Sequence, residues 1–126
     1  MGDFKKLTVW QRAFSLALAT YRGTAAFPAN ERFGLVAQMR RSATSVAADI
    51  AESSGRGHPG DQQRFLLIAR GSARELECQL LLARELGFLP PDTYAGLCGP
   101  LDEVQRMLTV LARKIADQRP EPRDQR

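Results

Sequence analysis

The sequence predicts one all-α domain, an antiparallel up-down-up-down four-helix bundle. Three observations carry that prediction. Apolar residues recur at three- and four-residue intervals along four segments, with no sustained strand-like alternation and no fixed repeat. Short Gly- and Pro-containing runs separate those segments, and short connections between long helices make neighbours antiparallel. The 126 residues, 44% apolar and 25% charged, suit a single globular domain with a real core. The bundle is expected over residues 1–119, with a disordered charged tail over 120–126.

The first helix is expected from Thr8, as an N-cap, to about Ala26, where Phe27-Pro28 ends it. Asn30 is the expected cap of the second helix, with Glu31 favouring the dipole in its first turn. That helix runs to about Ser54, and Ser54-Gly55-Arg56-Gly57-His58-Pro59-Gly60 reads as a loop. The third helix runs from about Asp61 to Leu86 and stops at Gly87, a good C′ residue. Helices two and three are thus about 24–26 residues each, or about 36–39 Å long. The fourth starts near Pro91 or Asp92 and ends near Gln118. Gly96, Gly99 and Pro100 inside it predict a kink or break.

On a helical wheel the fourth helix needs only one core: Leu97, Leu101, Val104, Leu108, Leu111 and Ile115 form a narrow stripe. The first helix differs. Beside a core stripe of Val9, Ala13, Leu16 and Ala17, the residues Trp10, Phe14, Leu18 and Tyr21 carry the apolar surface about halfway round. One bundle core cannot bury so wide a face, so a second protein surface is the economical explanation. Helix two has a core stripe of Leu35, Met39, Ser42, Val46 and Ile50. The small residues Ala43, Thr44, Ala47, Ala48 and Ala51 are placed on its outer face, where another helix could approach closely. Trp10, Phe14, Leu18, Tyr21, Ala43, Ala47 and Ala51 are therefore the expected oligomer interface.

Helix three reads as a stripe of Phe65, Ile68, Leu76, Leu80 and Ala83, interrupted by Ser72 and Gln79 and edged by Glu75. Because buried polar groups need partners, a network is expected to join Gln38, Ser42, Ser45 or Asp49 to Ser72, Glu75 or Gln79 and to fix helix register.

No constellation points to catalysis. His58, the single histidine, stands in a loop without the Glu-x-x-His pairs of a di-metal bundle, so Asp49, Glu52, Glu75 and Glu77 lack an imidazole partner. Ser53 and Ser54 near His58 do not make a triad, and the glycine-rich loop lacks the Gly-Lys-Ser/Thr of a nucleotide-binding loop. Neither a cofactor nor a metal is expected. Cys78 and Cys98 read as buried thiols in a reducing compartment. With no hydrophobic leader after the first residues and no apolar run long enough to span a membrane, the expected location is the cytoplasm.

The net charge is +4, from 15 Arg and 3 Lys against 14 acids. Such a balance permits an acidic partner. Arg40, Arg41, Arg56, Arg64, Arg70 and Arg74 are the candidates for a basic surface that an oligomer would repeat around its axis. Pairing with Glu75 and Glu77 is the alternative for any one of them.

Several runs together resemble a known family. They are Leu7-Thr8-Val9-Trp10-Gln11, Phe27-Pro28, Phe33-Gly34-Leu35, Gln38-Met39-Arg40-Arg41-Ser42, Ser45-Val46, Ile50-Ala51-Glu52 and Gly55-Arg56. Phe65-Leu66-Leu67-Ile68-Ala69-Arg70-Gly71-Ser72-Ala73, Glu75-Leu76 and Leu86-Gly87-Phe88-Leu89 follow in the same order. The chain resembles, over about Phe4 to Arg113, the bacterial four-helix bundle proteins related to the 23S rRNA intervening-sequence protein. Asp49 stands where that family usually has Asn, and Ser53 where it usually has Gly. The resemblance implies a ring-shaped homopentamer. The same fold includes the accessory variability determinant protein of diversity-generating retroelements, a basic partner of a reverse transcriptase and nucleic acid. The expectation is a non-enzymatic homo-oligomer that binds RNA, DNA or a ribonucleoprotein. A protein-interaction scaffold without a nucleic-acid role is the alternative.

Overall fold

The computed structural model describes residues 3–118; the tail expected over 120–126 lies outside them. Four helices follow in order, α1 (Thr8–Thr24), α2 (Leu35–Ser54), α3 (Pro59–Glu85) and α4 (Pro91–Asp117), with 3₁₀ turns at Phe4–Lys6 and Ala29–Glu31. Each helix packs on the next and α1 closes onto α4, while the diagonal pairs do not meet, so the bundle is a four-cornered ring in cross-section. Contacts at the helix ends show neighbours running antiparallel. Arg40, early in α2, bonds Thr24 and Tyr21 at the end of α1. Ser53, ending α2, donates to the Gln62 carbonyl at the start of α3. Arg84, ending α3, lies over the ring of Tyr94 in the first turn of α4. Gly23 lets the end of α1 approach the start of α4, for a Cβ there would lie 3.1 Å from Leu97 Cδ1.

The ends follow local chemistry, with some departures from expectation. Thr8 does not cap α1; Leu7 precedes the helix without a side-chain cap, and Gln11 Nε2 instead donates to the Lys5 carbonyl at 2.9 Å. Asn30 does not cap α2 either. It lies in the Ala29–Glu31 turn, and α2 starts only after Gly34, which makes it 20 residues long. His58, expected as an ordinary loop residue, caps α3: its Nδ1 accepts the Gly60 N–H at 3.0 Å, and Pro59 opens the helix where a missing N–H costs nothing. The stop at Gly87 is as expected. Gly87 takes φ +77°, the Phe88 N–H reaches the Ala83 carbonyl at 2.9 Å and the Gly87 N–H reaches that of Arg84 at 3.0 Å, a Schellman closure. α4 runs without a break through Pro100. The carbonyl deprived of a donor there belongs to Gly96, and both residues are exposed, so water can satisfy it.

One core holds the bundle. The stripes expected on α2 and α4 are buried, save that Leu111 is half-buried and Ala112 is fully so. The α1 stripe extends through Thr20 and Thr24, whose hydroxyls donate to the carbonyls of Leu16 and Thr20, each at 2.8 Å.

Helix three is where phase was misread. Leu66, Ala69 and Ala73 face the core with Leu76, Leu80 and Ala83, whereas Phe65 is half-buried and Ile68 is exposed. The stretch from Phe65 to Ala69 is apolar all round, so periodicity cannot choose its inward face. Side-chain size chooses it: α2 and α3 form the most extensive helix pair of the bundle, and both bring alanines to the core. Ala43 and Ala47 are among these, at 0% and 7% exposure. Small residues do admit close packing, but Ala43 and Ala47 are buried in the core of their own bundle.

Candidate nucleic-acid interface

The six candidate arginines fall into three places. Arg40 and Arg41 line a groove of about 520 Å³ along the outer side of α1 and α2. Arg56 and Arg64 lie beyond the end of α2 and in the first turns of α3, each guanidinium 4.7 Å from the Phe65 ring. Arg70 and Arg74 line the groove between α3 and α4, on the opposite side of the bundle.

Each place has its own electrostatics. Arg56 is tied to Glu52 at 3.2 Å, one turn back, and its carbonyl accepts from Gln62 Nε2 at 2.7 Å. With the Ser53–Gln62 bond of 2.8 Å, this staples the end of α2 to the start of α3. The α3–α4 groove also holds Glu77 and Asp102. Arg74 lies 3.7 Å from Glu77, Gln105 donates to the same carboxylate at 3.3 Å, and Asp102 pairs with Arg106. That groove mixes both signs of charge and is a poor polyanion site.

The α1–α2 groove is different, because no carboxylate lines it. Arg40 is fixed at its edge: Nε donates to Thr24 Oγ1 at 3.0 Å, Nη2 donates to the Tyr21 carbonyl at 3.1 Å, and the guanidinium sits 4.6 Å from the Tyr21 ring. Arg41 is exposed and, among the described residues, makes no ion pair or side-chain hydrogen bond. Two groove residues were not among the candidates. Arg32 lies 5.3 Å from the ring of Phe33, and Phe33 is 87% exposed. Their signal was the Arg-Phe-Gly run before α2, which reads as helix if Asn30 is taken as the cap.

The expected interface residues separate as well. Phe14, Leu18 and Tyr21 are exposed on the flank of α1, while Trp10 is half-buried between Phe4 and Phe14, at ring distances of 5.1 and 4.9 Å. Ala43 and Ala47 belong to the core, and Ala51 is half-buried. A second apolar surface was missed. The outer side of α3 exposes Leu67, Ile68, Leu81, Leu82 and Leu86. Cys78 is exposed on α3, against the expectation of a buried thiol, and Cys98 is half-buried.

The expected polar network does not form. Gln38 and Glu75 are exposed, Ser42 is buried, and Ser45, Asp49, Ser72 and Gln79 are half-buried; no hydrogen bond among the described residues joins any two of these side chains. Gln79 Oε1 is buried without a partner. Partial burial, and secondly the nearby Glu52 charge, raise the Asp49 carboxyl above its ordinary 3.8. Register is held instead by the Thr20–Thr24–Arg40 chain at one end and the Ser53–Gln62–Arg56 chain at the other.

Fold and surface together define an all-α bundle that presents a three-arginine groove between α1 and α2 and exposed apolar faces on α1 and α3. The sequence matches the family described as 23S rRNA-intervening sequence protein over residues 5–110, and the chain belongs to that family. A crystal structure from Bacteroides thetaiotaomicron, of a protein of unknown function from the S23 ribosomal protein family, has the same fold, with a TM-score of 0.76 at 22% identity. The similarity covers 83% of this chain and 98% of that one. No curated protein matches significantly. No helix of the described residues is long and apolar enough to cross a membrane, and no group of three or more His, Cys, Asp or Glu among them is placed to hold a metal ion.

Proposed function

We propose that the protein is a non-enzymatic homo-oligomer, a ring-shaped pentamer as the family resemblance implies, that binds nucleic acid or a ribonucleoprotein through its basic surface. The observation that supports the binding role is the α1–α2 groove, which gathers Arg32, Arg40 and Arg41 with no carboxylate in its lining. The family's name ties its members to 23S rRNA, and the structural neighbour carries a ribosomal protein family name. Two different apolar faces, the α1 flank and the outer side of α3, support the assembly. Two unlike faces that meet head to tail make a heterologous contact, and such a contact closes into a ring when its rotation allows. The cytoplasm, where free thiols persist, is the proposed location. A scaffold that binds only protein is the second reading, favoured by the four exposed leucine and isoleucine side chains of α3 and by Leu86 just beyond it.

Light scattering at low and high salt, with absorbance ratio to detect co-purified nucleic acid, tests the proposal. A mass near five chains, and RNA or DNA binding that weakens steeply with salt and is lost on Arg41→Glu, is the expected result. A stable monomer refutes the ring. An oligomer that ignores nucleic acid, and captures a protein partner resistant to nuclease and high salt, assigns the scaffold role instead.

A further inference from the structure

We infer that the α1–α2 groove takes single-stranded nucleic acid, with a base stacked on Phe33 and the adjoining phosphates held by Arg41 and Arg32. This rests on the nucleic-acid reading above and narrows it to one strand form and one contact.

Phe33 carries the argument. It follows the Ala29–Glu31 turn and precedes Gly34, so it stands clear of both helices with 87% of its surface in water. Arg32 lies 5.3 Å from its ring centroid, and that exposure leaves ring surface open to a ligand. A flat aromatic ring beside guanidinium groups is the pairing that single-strand binders use: the ring receives a base face and the cations follow the backbone. In a duplex the base faces are covered by their neighbours, so Phe33 could meet only an unstacked base.

The rest of the groove suits the same ligand. Arg40 is held by Thr24 and Tyr21 through Nε and Nη2, so its charge is fixed in place before any ligand arrives, and Nη1 stays outside those bonds. Among the described residues no carboxylate lines the groove around Arg41; the Glu31 carboxylate lies outside the lining, beside Gly34. The Ser45 hydroxyl and the half-exposed Tyr21 ring add a polar contact and a second aromatic surface.

Charge favours a polyanion over a second copy of the chain. The protein carries +4, and the outer side of α3, the other large apolar face, bears exposed Arg64 and Arg74 beside Glu75 and Glu85. That face carries both signs of charge and complements the groove only in part, whereas a polyanion complements all three arginines.

The test uses the full chain and fluorescence anisotropy with a labelled mixed-sequence single-stranded RNA, the same sequence as DNA, and the matching RNA duplex, at two salt concentrations. Single strands are expected to bind at least about tenfold more tightly than the duplex. Phe33→Ala should weaken single-strand binding by about five- to hundredfold and leave duplex binding unchanged. Phe33→Trp should restore it. Arg41→Glu should weaken binding of every form and reduce the salt slope by about one. Tighter binding of RNA than of DNA assigns a contact to the 2′-hydroxyl, and equal binding assigns the stacking and phosphate contacts alone; both support the inference. Because Phe33 is exposed, thermal melting should be unchanged in either variant. Single-strand binding that survives Phe33→Ala but falls with Arg41→Glu overturns the stacking inference while nucleic-acid binding stands. Absence of binding to any of the three probes removes the underlying reading as well. A drop in solution mass on Phe33→Ala would show that another copy covers the groove, and would also overturn the inference.

Discussion

Arg40 is bound within the fold through Nε and Nη2, whereas its chain neighbour Arg41 lines the groove without an ion pair among the described residues. Their substitutions should therefore differ. Arg40→Ala leaves the buried Thr24 hydroxyl without its donor and removes the stack on Tyr21, so it should cost about 1–2 kcal/mol in urea denaturation. Arg41→Ala should stay within about 0.5 kcal/mol of the parent. A charge-reversal set that combines the two would confuse misfolding with lost binding. Asp49 gives a second prediction at this scale. Burial first, and the Glu52 charge second, raise its folded pKa above the ordinary 3.8. A raised carboxyl pKa means that the fold prefers the protonated form. That contribution is greatest below the unfolded value and is lost as pH rises through the folded one. Near neutral pH the Asp49 charge is thus a cost, and Asp49→Asn, which removes the charge at nearly constant size, should raise the melting temperature there. The gain should shrink as pH falls toward about 4; an equal gain at both pH values would show that the charge is not its origin.

At the level of elements, the tightness of the bundle core rests on alanine. Ala43, Ala69 and Ala73 are fully buried, so their neighbours leave no room for a longer side chain. Ala43→Leu should cost about 1–3 kcal/mol through overpacking, measured by urea denaturation. On an outward-facing stripe, as the wheel first suggests, the same change would be nearly neutral. The α3 wheel shows why such errors occur. From Phe65 to Ala69 five apolar residues stand in a row, and the 3.6-residue period has nothing polar to mark the outside. Helix ends were more legible where one residue type has one use, as at Gly87 with its positive φ. They were less legible where several residues compete, as Asn30, Gly34 and Thr8 do for caps.

For the whole molecule, the two apolar faces are the feature that one chain alone does not account for. Leu82 is 51% exposed on the outer side of α3 and contributes nothing to the bundle core. Leu82→Glu should leave the helical content and melting of the isolated fold nearly unchanged, and should lower the solution mass seen by light scattering if α3 is half of a heterologous contact. An unchanged mass would confine the interface to the α1 flank. The same distribution separates assembly from binding. The leucines lie on α3 and the arginines on the α1–α2 side, so disruption of the α3 surface should leave the groove residues in place, whereas Tyr21 belongs both to the α1 flank and to the groove.

By itself the sequence determined the fold class, the helix count, the stop of α3 at Gly87 and the buried stripes of α2 and α4. These depend on periodicity, punctuation and local backbone preference, all of which act within a few residues. It also marked α1 as too apolar for one core, and Phe14, Leu18 and Tyr21 are indeed exposed. Only the tertiary structure decided which face of α3 turns inward, that Ala43 and Ala47 meet a helix of their own chain, and that the six arginines belong to three separate places. It alone placed Phe33 beside Arg32 outside both helices. The physical reason is the same throughout. Whether a residue is core, clasp or free surface depends on the size and charge of side chains on neighbouring helices, and those neighbours come from distant parts of the chain.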